Sequence, residues 1–243
     1  MQNGCCRLQG GCVQTERDAE IVDWVGRLGA AGAEHVMARF GMGRSWAYAR
    51  LSRLVEDGLL EQTQLLHRQP GLYVATAEGL RWRGLQRLGV HRLSVGGFEH
   101  ARQVATAAVA LHEGLVHWTL LSERELRVVE SECGELVASS RLGELPGGRP
   151  ALHRPDLALI SPEHRVLAVE VELSIKAPRR LQAICRGYAR ARHIRHAYYL
   201  ANGAAGRAVT RAVEVTRARD RIAVLALHDV GALVALELGR AGA

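Results

Sequence analysis

The stretch RPDLALISPEHRVLAVEVELSIK, residues 154–176, carries four acids, three of them on or beside its two apolar runs, and the only lysine in the chain. Asp156 precedes one apolar run. Glu170 and Glu172 alternate with Val169 and Val171 in the next, and Lys176 follows. In a strand, side chains two apart share a face. Glu170 and Glu172 are therefore expected to point the same way, roughly 6–7 Å apart, with Val169 and Val171 toward the core. Pro162 and Glu163 mark a turn, so the two runs should form a hairpin that brings Asp156 across from Glu170. Clustered carboxylates repel. Their charge must be met by a divalent cation, by arginines of the following helix such as Arg179 and Arg180, or by protonation. The second of these is a purely structural arrangement. His153 stands close enough in sequence to reach the same pocket, although a surface histidine would read the same way.

Several elements must position these residues. A glycine-containing joint, LGVHRLSVGG, is followed by the helix FEHARQVATAAVALHEGL and the short strand LVHWTLL. SERELRVVESECGE is acidic and less regular, and RLGELPGGRPA reads as a loop punctuated by Gly and Pro. After the hairpin come the basic helix APRRLQAICRGYARARHI, with Pro178 in its first turn, the strand HAYYLAN, the helix GRAVTRAVEVTRAR and the strand RIAVLAL. The expected order over residues 91–243 is α-β-β-β-α-β-α-β, an α/β domain with a mixed sheet.

The N-terminal part follows another pattern. Residues 1–15 read as a flexible tail. From Glu16 the residues Ile21, Val22, Val25 and Leu28 recur at helical spacing behind Thr15 as N-cap. A second helix is expected at about Ala33–Phe40 and a third at about Arg44–Glu56, with the glycine turn GMGRS between them and Gly58 as the stop. Two helices joined by such a turn are the signature of a helix-turn-helix. On the third helix Ala47, Leu51, Leu54 and Val55 should bury, while Ser45, Trp46, Ala49, Ser52 and Arg53 face outward. Small side chains at Ser45 and Ala49 admit a close groove, and Arg44 and Arg53 can reach phosphates or guanine edges. Trp46 would pack on a sugar or turn inward. A hairpin with His67 and Arg68 near its tip and a closing helix capped by Thr76 complete the segment. The order of helix, helix, helix, hairpin and helix over residues 16–90 resembles a winged helix-turn-helix.

Charge points to the class of partner. The formal net charge is +7. Residues 176–221 hold twelve Lys or Arg against Glu214 and Asp220, a local net of +10. A basic balance favours an anionic partner, first of all nucleic acid, against a merely solvated surface. Arg179, Arg186 and Arg190 fall near one face of the basic helix and would bind the phosphate backbone without reading bases. They could equally pair with the acidic segment Glu123–Glu135. Hydrophobic residues make up 48% of the 243 and charged residues 23%, values that place the chain among globular proteins. No apolar run is long enough to span a membrane, and MQNGCCRLQGG lacks a signal-peptide core, so a cytoplasmic protein is expected. Cys5, Cys6 and Cys12 lack metal-site spacing, and Cys133 and Cys185 read as ordinary thiols.

The spacing of Asp156, then Glu170, with a lysine close behind, resembles the PD-(D/E)xK nuclease superfamily. That resemblance implies a restriction-endonuclease-like fold, Asp156 and Glu170 as ligands of Mg²⁺, and Asp156, Glu170, Glu172 and Lys176 as the catalytic set. The family's lysine stands two residues after the second acid, where this chain has Glu172. Lys176, four residues further on, would have to return its amine to the site. HWTLLSERELR, RPDLALI, LAVEVELSIKAPRRLQAICRGYARA and YYLAN fall in the order seen in the replication-relaxation family of plasmid and mobile-element proteins. Its second acidic strand commonly reads Val-Glu-x-Asp, and Glu172 takes the place of that Asp. This resemblance implies a winged helix joined to a nuclease-like domain and work on DNA in the replication, transfer or regulation of a mobile element.

The expectation is thus an α+β protein that binds double-stranded DNA as an accessory or regulatory factor, with a nuclease-like domain that need not cut and, in that case, no cofactor. The first alternative is a Mg²⁺-dependent DNA endonuclease using Asp156, Glu170 and Lys176. The second is a protein-interaction module. Pairing of winged helices on two half-sites suggests a homodimer.

Overall fold

A computed structural model describes residues 14–65 and 69–241 of the chain. It is α+β, built around a mixed five-stranded sheet, and it divides into two compact units, residues 1–102 and 103–243.

In the first unit, α1 (Glu16–Leu28) starts on Thr15, whose side chain and that of Asp18 cap each other's backbone amides. A two-residue strand, β1 (Ala31–Gly32), leads into α2 (Ala33–Phe40) and α3 (Arg44–Glu56). Gly41 sits in the left-handed region at φ 61°, which allows the sharp turn between these helices. Strands β2 (Leu60–Thr63) and β3 (Leu72–Ala75) form an antiparallel hairpin, and β1 adds to the other edge of β3. Helix α4 (Ala77–Trp82) is capped by Thr76 and gives way to a short 3₁₀ turn, Gln86–Leu88. Helix α3 buries Ala47, Leu51 and Leu54, while Val55 is only half-buried. Trp46 stays outside, 70% exposed. It does not turn into the core. His67 and Arg68 lie outside the described residues.

Helix α5 (Val95–Gly114) begins in the first unit and supplies Ala105, Ala108 and Leu111 to the buried residues of the second. Strand β4 (Thr119–Ser122) is followed by α6 (Glu123–Cys133), β5 (Ser140–Glu144), β6 (Pro150–His153), β7 (Leu157–Ile160) and β8 (Val166–Glu172). Then come α7 (Pro178–Arg190), β9 (Ile194–Ala201), α8 (Gly203–Thr216), β10 (Ile222–Leu225) and α9 (Val230–Ala241). The five-stranded sheet runs β10-β9-β8-β7-β4, with β8, β9 and β10 parallel and β7 and β4 antiparallel. Strand β8 is therefore interior, paired on both edges.

Four features depart from the expected order. The acidic segment is a regular helix, α6, because Ser122 and Glu125 form a capping box and Gly134 closes it in the left-handed region at φ 73°. The Gly- and Pro-marked loop is a hairpin of β5 and β6, bulged between Arg141 and Gly143. ALHRPDLALI is two strands, not one, because Pro155 has no amide hydrogen to continue a ladder. A C-terminal helix, α9, follows the last strand.

Sheet and helices α7 and α8 enclose the core. Leu181, Ile184, Cys185 and Tyr188 of α7 pack with Val209, Ala212 and Val213 of α8 onto Ala168, Ala197 and Tyr199 of the sheet. Helix α7 thus turns its apolar stripe inward and its arginines outward, the pattern of a helix lying on a sheet.

Candidate functional site

The register Leu157↔Val169, Ala158↔Ala168 in the β7–β8 hairpin extends by one step to set Asp156 opposite Glu170. Asp156 has just left the strand. Its Oδ2 accepts the backbone N–H of Val171 at 2.7 Å, and its carbonyl accepts the N–H of Glu123 at 3.0 Å. The carboxylate is thereby fixed to β8 at the peptide that separates Glu170 from Glu172.

Pleating sends Glu170 and Glu172 to one face of β8, as the alternation requires, and that face is the one under α7. Both are 3% exposed, as buried as Val171 on the opposite face. An ionised carboxylate taken out of water costs several kcal/mol unless donors meet it. Glu170 receives two. The Tyr188 hydroxyl donates to its Oε1, and Nε2 of His153 lies 2.7 Å from the same oxygen. The His153 ring stands edge-on to Tyr188, with centroids 5.8 Å apart. Both hydrogen bonds fall on Oε1, so Oε2 is left for another partner.

Glu172 is met by Lys176. The ammonium pairs with Glu172 Oε2 across residues 173–177, which join β8 to α7. Burial alone would pull the Lys176 ammonium below the ordinary lysine value. The hydrogen bond to Glu172 and the charges of Glu170, Glu172 and Asp156 outweigh it and hold the group above that value. One cation thus answers to all three acids.

The surrounding groups respond to the same negative field. Burial, then the charge of Glu170, raise Tyr188 and Tyr199 well above the usual tyrosine value. Burial and Glu170 push the Cys185 thiol up to about 11. Tyr199 stands beside Glu170 in the β8–β9 register, and its hydroxyl is buried without a hydrogen-bond partner.

The donor set has limits. No group of three or more His, Cys, Asp or Glu among the described residues is arranged to hold a metal ion. Asp156 and Glu170 offer hard oxygen donors only, which suits Mg²⁺. That ion uses one or two carboxylates and takes its other ligands from water and substrate phosphate. The residues fit that sparse mode and not a closed protein cage.

The remaining expected residues are distributed as follows. Arg44, Ser45 and Trp46 are exposed on α3 and Arg53 is half-buried there. The Arg44 guanidinium lies over the Tyr48 ring, 5.7 Å from its centroid. Arg179, Arg186 and Arg190 are exposed on α7, and Arg186 donates to Gln182 at 3.2 Å. The acidic segment makes other contacts. Glu123 pairs with Arg127 of the same helix at 2.8 Å. Glu130 is buried, accepts the amides of Val137, Ala138 and Ser139 and the Ser139 hydroxyl, and pairs with Arg154 at 3.4 Å. Arg179 and Arg180 likewise stay exposed, and the partners of Glu170 and Glu172 are Tyr188, His153 and Lys176.

Sequence reasoning passed over Tyr188 and Tyr199 entirely. Their chain positions give no motif. Only the inward stripe Leu181, Ile184, Cys185, Tyr188 places Tyr188 on the sheet side of its helix.

The structure holds two candidate pieces: an acidic site with one ammonium on the sheet face under α7, and an exposed face of α3 whose one carboxylate, Glu56, stands at its C-terminal end. No protein-family model, no curated protein and no solved structure matches this chain.

Proposed function

We propose that the protein is a double-stranded-DNA-binding accessory or regulatory factor, of the kind its resemblance to mobile-element replication proteins implies. In this reading residues 16–90 act as a winged helix-turn-helix and residues 91–243 as a restriction-endonuclease-like domain. The observation that carries it is the outer face of α3. Arg44, Ser45, Trp46, Ala49 and Ser52 are all exposed, and the helix has no acidic residue before Glu56. A face with three small side chains, a terminal arginine and an uncovered tryptophan is suited to lying in a major groove. Arg179, Arg186 and Arg190 on α7 would add phosphate contacts that carry no sequence information.

The test is fluorescence anisotropy of a labelled duplex as salt is raised. Several phosphate contacts make affinity fall steeply and linearly in the logarithms. Absence of binding at low salt would sink this reading and leave a protein-interaction module.

A second reading, Mg²⁺-dependent endonuclease, is favoured by one feature: Lys176 returns its amine to Glu172 beside Asp156 and Glu170. Asp156 and Glu170 would hold the ion, which when bound would supply a Lewis acid for a scissile phosphate. Tyr188 and His153 would orient Glu170 through Oε1. Lys176, kept protonated by the surrounding acids, would serve as a hydrogen-bond donor to the attacked phosphate and not as a general base. Plasmid cleavage with Mg²⁺ or Mn²⁺ that disappears in Asp156→Ala and Glu170→Ala would support this; cleavage surviving both would assign it to something else.

A further inference from the structure

A groove of about 440 Å³ lies between α7 and α8, immediately beyond Lys176. Its walls are apolar: Ile175, Pro178, Leu181, Ala208, Ala212 and Val215. Ile175 is 64% exposed and Val215 59% exposed, so apolar surface lies open to water there. Its polar lining is Lys176, Gln182, Arg207 and Arg211, with no carboxylate among the described residues. Arg207 and Arg211 stand one turn apart on α8, so their side chains share a face. Both are exposed.

An apolar slot with two guanidinium groups at its rim suits a ligand with a flat apolar face and flanking negative charges. Its volume is within the range of roughly 300–1,000 Å³ that small-molecule pockets occupy. A nucleotide has this chemistry, but only when its base is out of the stack. In a duplex the base faces are covered by their neighbours, and an apolar wall has nothing to pack on. Position agrees with charge. Lys176 lines the groove and its ammonium pairs with Glu172, so an occupant lies next to the acidic site.

We propose that the α7–α8 groove takes one unpaired nucleotide of a DNA strand, with the base on the wall of Ile175 and Val215 and the flanking phosphates on Arg207 and Arg211. The inference rests on the DNA-binding reading above and narrows its ligand to DNA carrying a single-stranded segment, such as a tail, gap or fork.

The experiment measures the anisotropy of labelled DNA with the full chain, comparing a blunt duplex with the same duplex bearing a short single-stranded tail. The tailed DNA should bind about tenfold tighter, the gain from covering one base face with aliphatic side chains. Val215→Asp and, separately, Arg211→Glu should remove that preference and leave blunt-duplex affinity as it was. Both side chains are exposed, and an unchanged circular dichroism melt checks that each variant is folded. Equal affinity of the wild type for blunt and tailed DNA would overturn the groove proposal while duplex binding stood. A preference that persists in both variants would also overturn it, because the nucleotide would then sit elsewhere. Failure to bind any DNA at low salt would instead remove the DNA-binding reading on which it rests.

Discussion

Tyr188 donates its hydroxyl to Oε1 of Glu170, tying the middle of the acidic strand to the helix that covers it. The two residues are eighteen apart in sequence, and both are almost wholly buried. The bond makes the acidic site part of the core.

Tyr188→Phe keeps the ring and removes the donor. Glu170 then keeps only His153 on that oxygen. The expected cost is about 1–3 kcal/mol, the desolvation left uncompensated at a buried acceptor. A urea unfolding curve reads it as a lower midpoint at unchanged slope. Duplex affinity should not move.

Lys176→Met leaves Glu172 buried with no cation. Lys176 is itself 35% exposed, so solvent screens the attraction, but Glu172 is left buried without a donor, and the loss at neutral pH should be about 1–3 kcal/mol. The lysine is raised in the folded state. Its contribution is therefore complete below the ordinary value of 10.5 and disappears as pH climbs past that through the folded value. Midpoints of wild type and variant should differ at pH 8 and converge in strong alkali. If the chain cleaves DNA, this variant should be inactive at every pH.

Asp18 ties α1 to α3. It accepts the Thr15 amide at 2.8 Å and hydroxyl at 2.7 Å, and Arg50 Nη1 meets its other oxygen at 2.6 Å. Burial alone would raise its carboxyl, but these bonds and the Arg50 charge hold it below 3.8. A lowered acid stabilises the fold above its unfolded value and stops doing so as pH falls through the folded one. Asp18→Asn should cost about 1–3 kcal/mol at pH 6, by loss of charge-assisted hydrogen bonds. Denaturant midpoints should show that gap closing as pH drops below 3.8.

Trp46→Ala and Arg44→Ala alter exposed side chains and should leave stability within about 0.5 kcal/mol of wild type. Arg44→Ala should weaken duplex binding and, if it contacts a phosphate, reduce the salt slope by about 1. An anisotropy titration at several salt concentrations reads both. Unchanged affinity in both variants would remove α3 from the interface.

Gly79 and Gly96 make a matched pair of thermal-melt tests. A Cβ at Gly79 would stand 2.2 Å from the Leu59 carbonyl oxygen, whereas one at Gly96 meets nothing within 4 Å. Gly79→Ala should lower stability by about 1–3 kcal/mol through overpacking. Gly96→Ala, exposed in α5, should raise it by about 0.4–1 kcal/mol by restricting the unfolded chain.

Much of this architecture was legible in the sequence where one periodicity dominates. The alternation of Val169, Glu170, Val171 and Glu172 gives a strand with acids on one face, and the stripe Leu181, Ile184, Cys185, Tyr188 gives a helix seated on a sheet. Thr15 and Thr76 cap the helices they precede. What stayed hidden has physical causes. Helix α6 has charge on most of its surface and buries only Leu126 and Glu130, so it lacks an apolar stripe. Glu130 looks like a solvated acid and becomes buried only because three successive amides and a serine fold over it. The β5–β6 hairpin is written in Gly, Pro and Arg, residues that read as loop. His153 is within reach of the pocket from its place just before Asp156, but Tyr188 meets Glu170 through tertiary packing that no spacing rule predicts.

The placement of Lys176 on the bridge after β8 sets which changes in chain length the site tolerates. An amine inside the strand would be locked by the pleat: one inserted residue there would flip every following side chain to the opposite face. Residues 173–177 obey no such parity. Lengthening, shortening or recomposing that connector can advance, retract or delete the ammonium while the sheet keeps its ladder, so the positive element of the pocket is free to drift where the acids are not.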